Sequence, residues 1–539
     1  MKNNSTAAVT LGFTTSLMGT WIEKSGPRKA GAVGSMFWCG ALCTSAIGVH
    51  FHSLPVFYLG YGVMGGIGWG LLYLAPVTSV MKFFPDRRGL ATGLSLSAFG
   101  AGAALAPSLI DFALDYFFIA PDFIGALADT GMDLSGDDGN VELETLRDGS
   151  QIIAESSPVG QAGQKVIVAT ETDISRLKNI PTGAGVYSIG SGDTGTAKAL
   201  ATLGLSYGAL GIIGSRMMKT PHPEWSPALD KHYITKIDSI AKEHIHSGLP
   251  ASYVTRNTVQ FPLLWLSVFG NATGGLALLS SSKLMLTDIW AGIAPEIVTS
   301  SFSTGYVSAL GLGMAVGRFG WSALSDHLGR QQTYALFGLG IPIVAMVPSL
   351  CQAAVIGAST GDSQAAAVYP LLLTFYGGSV LAITFYGGIF SVLPAYIADL
   401  FGQKHAGAIH GKALTAWAAS AVAGPMGLAY LRSHSLMDAT HNLLHSITDE
   451  EAFEIAFGCR VDDNASIQAL IDAKTLTIPR LMELVPQGTI DPSPFLYDST
   501  CYTAAALMGI SALANLAIRP LNVKEELKMS RTNKNKKSF

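Results

Sequence analysis

The chain is 539 residues long, 49% hydrophobic and only 13% charged, with a net charge of −4. A soluble globular chain carries about 25% charged residues, so half that fraction over this length leaves too little polar material for a water-covered surface. The class is a polytopic, all-α membrane protein. The near-neutral charge carries no nucleic-acid footprint, and five cysteines without metal-ligand spacing give no metal site. The 60 glycines fit the class, because small residues let membrane helices approach closely.

Apolar segments fall at 6–21, 31–50, 55–81, 90–118, 197–216, 259–282, 300–321, 332–352, 366–398, 409–431 and 500–518, about eleven spans on the ~18-residue criterion for crossing a bilayer as helix. The runs 55–81 and 366–398 are long enough to imply tilt or extension past the hydrocarbon. The N-terminus, "MKNNSTAAVTLGF", has neither the charged region nor the cleavage site of a signal peptide. Cys39 and Cys43 lie one helical turn apart and read as packing residues.

The intervening loops sort by charge. Lys and Arg gather at 22–30, 82–89, 217–257, 326–331 and 400–408 and in the tail from 519, which ends with Lys534, Lys536 and Lys537. The alternate loops are short and uncharged or, at 119–196, acidic, with Asp133, Asp137, Asp138, Glu142, Glu144 and Asp148. The positive-inside rule puts the basic set and the C-terminus in the cytoplasm. The chain then divides into an N-terminal half (1–216), a cytoplasmic central loop (217–258), a C-terminal half (259–518) and a basic tail (519–539). Segments 119–196 and 432–499 face the other side. The second holds the glycosylation sequon Asn464-Ala465-Ser466; Cys459 and Cys501, in and beside it, can pair or stay free. The closing "KKSF" resembles a dilysine endoplasmic-reticulum retrieval signal, with a plain basic tail as the alternative, so plasma and internal membranes stay open.

One charged turn recurs. "GTWIEKSGPRK" (19–29) and "GRFGWSALSDHLGR" (317–330) each place an acid, a glycine three residues on and then an arginine: Glu23, Gly26 and Arg28, then Asp326, Gly329 and Arg330. Gly19 opens the first of these stretches. A further charged turn follows two helices downstream of each, "FFPDRRGLATG" (83–93) with Asp86, Arg87 and Arg88, and "IADLFGQKHAG" (397–407). A pattern repeated between halves marks transporters built from structural repeats.

These stretches, with "GLLYLAPVTSVMKFFPDRRGLATG", "YGGIFSVLPAYIADLFG" and "HGKALTAWAASAVAGP", resemble the major facilitator superfamily, and within it the oxalate/formate antiporter branch related to monocarboxylate transporters. The resemblance covers nearly all of the membrane part; the loops 119–196 and 432–499 match nothing in it. It implies twelve helices in two six-helix halves, a central cavity and rocking alternating access. It also implies that the acid-Gly-Arg turns, after the second and eighth helices, latch the cytoplasmic ends together. The physical basis is a carboxylate facing a helix N-terminus and an arginine through charge-assisted bonds. Glu23 stands for the family's usual Asp, and Ser322 for a usual Gly. Only 22 residues precede Glu23, whereas about 65 separate Phe261 from Asp326, and one span takes about 20 residues. The expectation is therefore that the family's first helix is absent from this chain.

Arg318 lies about two helical turns inside the membrane from Asp326, and an intramembrane arginine is a functional candidate by default. The resemblance implies that an arginine here pairs with a substrate carboxylate, whose two oxygens suit a guanidinium. The oxalate transporter's second cation, a lysine on the eleventh helix, aligns with Trp417; Lys412 lies more than a turn nearer the cytoplasm. One cation favours a monocarboxylate over oxalate. Proton-coupled monocarboxylate carriers place an acid four residues before the arginine, where Met314 stands here, so coupling by proton or by exchanged anion is open. Tyr73, Asn271, Tyr386 and Trp417 complete the candidate substrate site, as walls for a small organic anion. His410, near the cytoplasmic mouth, is either a protonatable group or an ordinary turn histidine, and the second reading is preferred. "GGIGWG" (65–70) lies within an apolar helix without a preceding strand, so it is not a dinucleotide loop.

The reading is a secondary active transporter of lactate-, pyruvate- or formate-like anions, without cofactor, metal or enzymatic activity and of open oligomeric state. The alternatives are an oxalate or dicarboxylate antiporter of the same fold, a non-transporting receptor or scaffold, or a truncated fragment.

Overall fold

The structure is a computed structural model that describes residues 2–126, 143–145, 151–154, 160–169, 183, 185–222, 248–359, 364–472, 475–486 and 488–536. Each of the apolar segments coincides with a helix: α1 (Lys2–Ser25), α2 (Pro27–His50), α3 (Leu54–Phe83), α4 (Arg88–Phe117), α5 (Thr196–Met217), then, after the short α6 (Ala251–Asn257), α7 (Gln260–Trp290), α8 (Ser300–Leu328), α9 (Arg330–Ala358), α10 (Gln364–Phe401) and α11 (Ala406–His445). Three short helices, α12 (Glu450–Phe457), α13 (Asn464–Asp472) and α14 (Ile478–Met482), precede α15 (Asp498–Leu516), and α16 (Val523–Lys536) closes the order. Seven helices among the described residues (α2, α3, α5, α7, α9, α10 and α11) are long and apolar enough to cross a membrane. Another, α8, carries Arg318 and Asp326 within its apolar run. The protein is an integral, multi-pass membrane protein.

The described chain forms two compact units. The first comprises 1–38, 62–104 and 210–539. Within it α1 packs on α11 and on the second part of α3, α8 on α10, and α7 on α11 and α15. Glycine makes the closest approaches possible. A Cβ at Gly19 would strike the backbone of Ala408, one at Gly411 the Thr15 carbonyl, and one at Gly317 the backbone of Thr384. The two charged turns share one geometry. Gly26 (φ +81°) follows α1 and Gly329 (φ +91°) follows α8, both in the left-handed region that ends a helix at low cost for glycine. The next helix starts at Pro27 in the first turn and at Arg330 in the second.

The second unit, 39–61 and 105–209, adds a small sheet to the otherwise helical fold. Here the segment 119–196 carries β1 (Phe123–Ala126), β2 (Leu143–Thr145), β3 (Gln151–Ile153), β4 (Lys165–Ala169) and β5 (Gly185–Ser188). They form one antiparallel sheet in the order β1-β5-β4-β3-β2, with Val168 opposite Val186 and Ile153 opposite Leu143. Ile153, Val166 and Val186 are buried together, with Ile124 and Val168 against them. Strands this short leave little period-2 alternation for sequence reading to detect. Glu144 lies exposed in β2, whereas Asp133, Asp137, Asp138, Glu142 and Asp148 lie outside the described residues.

In the first unit, α11 runs past the expected end at 431 to His445. The segment beyond it carries short helices whose Phe453 and Leu481 are fully buried in the same core as the C-terminal membrane helices. Cys459 and Cys501 are both free, which removes their pairing; Cys501 is buried against α15's neighbours. Asn464 opens α13. Lys537 lies outside the described residues.

Candidate substrate cavity and latch

Arg318 sits on the inner part of α8 and is 7% exposed. Its Nη1 donates to the Leu96 carbonyl at 3.1 Å, and its guanidinium lies over the Phe99 ring at 5.1 Å from the centroid. Nη2 faces only the Met314 sulfur, a weak acceptor, at 3.8 Å. Nε has no partner, and among the described residues no carboxylate pairs with this arginine. A carbonyl and an aromatic face solvate the cation in part and leave donors free, so the arrangement accommodates an incoming anion.

The aromatic residues around it come from four helices. Tyr73 stands edge-on to Phe99 at 6.5 Å and 5.8 Å from the ring of His410. Trp69 stacks with Phe99 at 6.0 Å and meets Trp417 edge-on at 5.4 Å. Trp417 donates through Nε1 to the Tyr386 hydroxyl at 3.2 Å, and Phe390 packs on both. The fold thus brings Arg318, Tyr73, Tyr386 and Trp417 into one cluster. Phe99, Trp69 and Phe390 belong to it and were not singled out in the sequence, where an aromatic in an apolar helix carries no address. Asn271 lies elsewhere. It lines a mostly apolar cavity of about 320 Å³ within the C-terminal helices, on whose wall Tyr386 also lies. Its Nδ2 donates to the Ser267 carbonyl, and its Oδ1 is unpartnered. His410 corrects its reading as a turn residue: it lies inside α11 and is fully buried, with neither ring nitrogen bonded.

The charged turns form two helix caps between the first and last parts of the chain. Asp326 accepts from the backbone N–H of Gly89 (2.9 Å) and of Leu90 (2.8 Å), at the start of α4. Glu23 accepts from the Ala408 N–H at 2.9 Å, at the start of α11, and its other oxygen lies 3.4 Å from His405 Nδ1. Each carboxylate therefore faces the positive end of a helix dipole. Around Asp326 the cap extends into a network: Arg330 pairs with Asp326, Ser325 and Asp399, and Arg88 pairs with Asp399 at 2.8 Å. A Cβ at Gly89 would strike Ser322, and Gly93 packs on the same serine.

Arg28 does not join the Glu23 cap; its Nε donates to the Met218 carbonyl. Pro27 takes the first helical position that Arg330 holds in the second turn, so Arg28 stands one residue further on. One residue rotates a side chain about 100° around a helix. Asp86 and Arg87 pair loosely with each other at 4.0 Å on an exposed surface and touch neither cap. Asp399, which links Arg88 to Arg330, was signalled only by the recurrence of its stretch 397–407. At the opposite end of α7, Asp288 accepts from Arg432 (2.6 Å) and Tyr497 (2.8 Å), binding α7, α11 and the approach to α15 together.

A family model for the Major Facilitator Superfamily matches residues 4–127. Over 85 residues, 15% of this chain and 16% of the relative, the sequence is 38% identical to apicoplast pyruvate carrier 1 of Toxoplasma gondii. Over 92 residues, 17% of this chain and 20% of the relative, it is 35% identical to monocarboxylate transporter 11 of Mus musculus. These matches span only about a fifth of the curated relatives' length. Among solved structures, the proton:xylose symporter bound to 6-bromo-6-deoxy-D-glucose superposes with a TM-score of 0.50 at 13% identity, covering 94% of this chain and 83% of that one. The protein has the major facilitator fold. Over those short stretches its sequence is similar to monocarboxylate transporters.

Proposed function

We propose that the protein is a secondary active transporter of small organic anions, with monocarboxylates preferred, working by alternating access. The observation that carries the reading is Arg318, a cation buried in an intramembrane aromatic cluster, with a free Nε and no carboxylate partner among the described residues. A permanent charge in such a place is expensive and is offset when an anion docks. Tyr73, Tyr386 and Trp417 wall the site and exclude water from a small carboxylate. Trp417 contributes an indole rather than a second cation, which favours one carboxylate over two.

In this proposal 1–216 and 259–518 are the two rocking halves, and 217–258 and 519–539 lie in the cytoplasm with the C-terminus. The caps at Asp326 and Glu23 hold the cytoplasmic ends shut, and their rupture opens the cavity inward. Gly19 and Gly26 shape the Glu23 cap, and Gly329 shapes that of Asp326. The substrates named for the pyruvate carrier and the monocarboxylate transporter support this choice of anion. Purified protein in proteoliposomes is expected to take up labelled lactate, pyruvate or formate in preference to oxalate. Preference for oxalate would make it a dicarboxylate carrier, and no uptake of any carboxylate would overturn the proposal.

A further inference from the structure

Three helices each present one buried, unpartnered polar group to a single region: the two nitrogens of His410 on α11, the hydroxyl of Tyr73 on α3 and Nε of Arg318 on α8. Buried polar atoms nearly always find partners, and each exception asks for a reason. Tyr73 is the link. Its ring lies 5.8 Å from that of His410, and its hydroxyl is within electrostatic reach of Arg318. The substrate proposal uses Arg318 and Tyr73 and leaves the histidine unexplained.

Among the described residues, no compensating charge pairs with His410. Glu23 of α1 is spent on the Ala408 N–H and His405, Tyr386 of α10 accepts from Trp417, and Asp288 of α7 is held by Arg432 near the other end of α11. On its own helix the neighbouring ionisable groups are His405, bonded to Glu23, and the half-buried Lys412. Among the described residues no charged side chain acts directly on the imidazole. A proton placed on it here would create an uncompensated buried cation, which is costly until an anion arrives. His410 also lies two residues beyond Ala408, whose N–H is the one that Glu23 caps.

We propose that His410 is the proton-carrying residue of a proton–carboxylate symport, with Tyr73 standing between it and the anion on Arg318. The inference rests on the anion-transport reading above. The carboxylate docks on Arg318, a proton from water adds to one ring nitrogen, and both leave on the other side; no other bond forms or breaks. The coupling is electrostatic. The carboxylate neutralises the charge that the buried imidazole cannot otherwise hold, so proton and anion cross together. The site carries the same net charge loaded and empty, which makes transport electroneutral.

The test uses the full chain in proteoliposomes with a pH-sensitive dye. For the unaltered protein, adding pyruvate or lactate outside should alkalinise the external medium without generating a membrane potential, and exchange should quicken as the pH falls. In His410→Gln, net proton-driven uptake and alkalinisation should vanish, and the residual carboxylate exchange should no longer respond to pH. Carboxylate uptake by the unaltered protein without proton movement would overturn the inference and leave the transport reading standing. Retained proton coupling in His410→Gln would overturn it as well. Loss of exchange in both His410→Gln and His410→Asn, at normal membrane insertion, would assign His410 to substrate holding and reject it as the proton carrier. No carboxylate movement in any protein would instead overturn the underlying reading.

Discussion

Asp326→Asn should loosen the proposed cytoplasmic latch, and the geometry sets how far. The carboxylate is 9% exposed, accepts from two backbone N–H groups at 2.9 and 2.8 Å, and pairs with Arg330, itself 10% exposed. Asparagine retains one acceptor and turns an amide N–H₂ toward the second backbone donor, so one hydrogen bond is lost and a repulsive contact replaces it. A hydrogen bond to a charged group contributes about 1.5–3 kcal/mol, and a carboxylate at a partly buried helix N-terminus up to about 2 kcal/mol. These two terms overlap, because the bond and the dipole act through the same N–H groups, so a net loss of about 3 kcal/mol is reasonable. At about 1.4 kcal/mol per tenfold, the open state gains roughly a hundredfold in relative population. Ser322, fully buried beneath Gly93, offers a reporter. In a background without the native cysteines, the labelling rate of Ser322→Cys from the cytoplasmic side should rise by that order when Asp326→Asn is added. An unchanged rate, together with unchanged transport, would refute the view that Asp326 holds the ends shut.

Glu23→Gln should have a smaller effect in the same assay, about 1–2 kcal/mol, because this cap rests on a single backbone bond and a 3.4 Å contact to His405. Arg28→Ala should leave labelling nearly unaltered, since Arg28 bonds Met218 and not Glu23. Arg318→Ala should abolish carboxylate uptake at normal membrane insertion: an ion pair at ~4 Å and an effective dielectric near 20 contributes about 4 kcal/mol, and wild-type uptake would remove Arg318 from the anion site. Trp417→Lys should shift preference toward oxalate in competition assays, whereas unchanged selectivity would separate Trp417 from the substrate. Arg432→Met strands the partly buried Asp288 carboxylate with only Tyr497 as donor, and should lower the thermal midpoint in detergent by the equivalent of about 1–3 kcal/mol.

The membrane class, the helical segments and the two charged turns were legible in the sequence because each is a local property. Apolar runs of span length must become helices once in a bilayer, since every backbone polar group has to be satisfied within the segment. Glycine after an acidic helix end signals the positive-φ turn that both Gly26 and Gly329 adopt. The sheet within 119–196 escaped because its strands are too short to announce themselves. The free state of Cys459 and Cys501 could not be read from spacing, because a disulfide is set by the separation of two backbones.

The site was legible only in part. Arg318 announced itself by cost, as a charge in an apolar helix, and Tyr73, Tyr386 and Trp417 by their positions in the resembling stretches. His410 stood between a protonatable group and an ordinary turn histidine, because only its neighbours separate the two. What only the tertiary structure decided is which groups meet: Asp326 with Gly89 across 237 residues of sequence, Glu23 with Ala408 across 385, and Tyr73 with His410 through their rings. It also decided that Arg28 misses the cap that Arg330 serves, although both follow an acid and a glycine. Local pattern determines where a helix starts and stops. The direction a side chain faces depends on its phase around the helix, and its partner on segments packed from far along the chain.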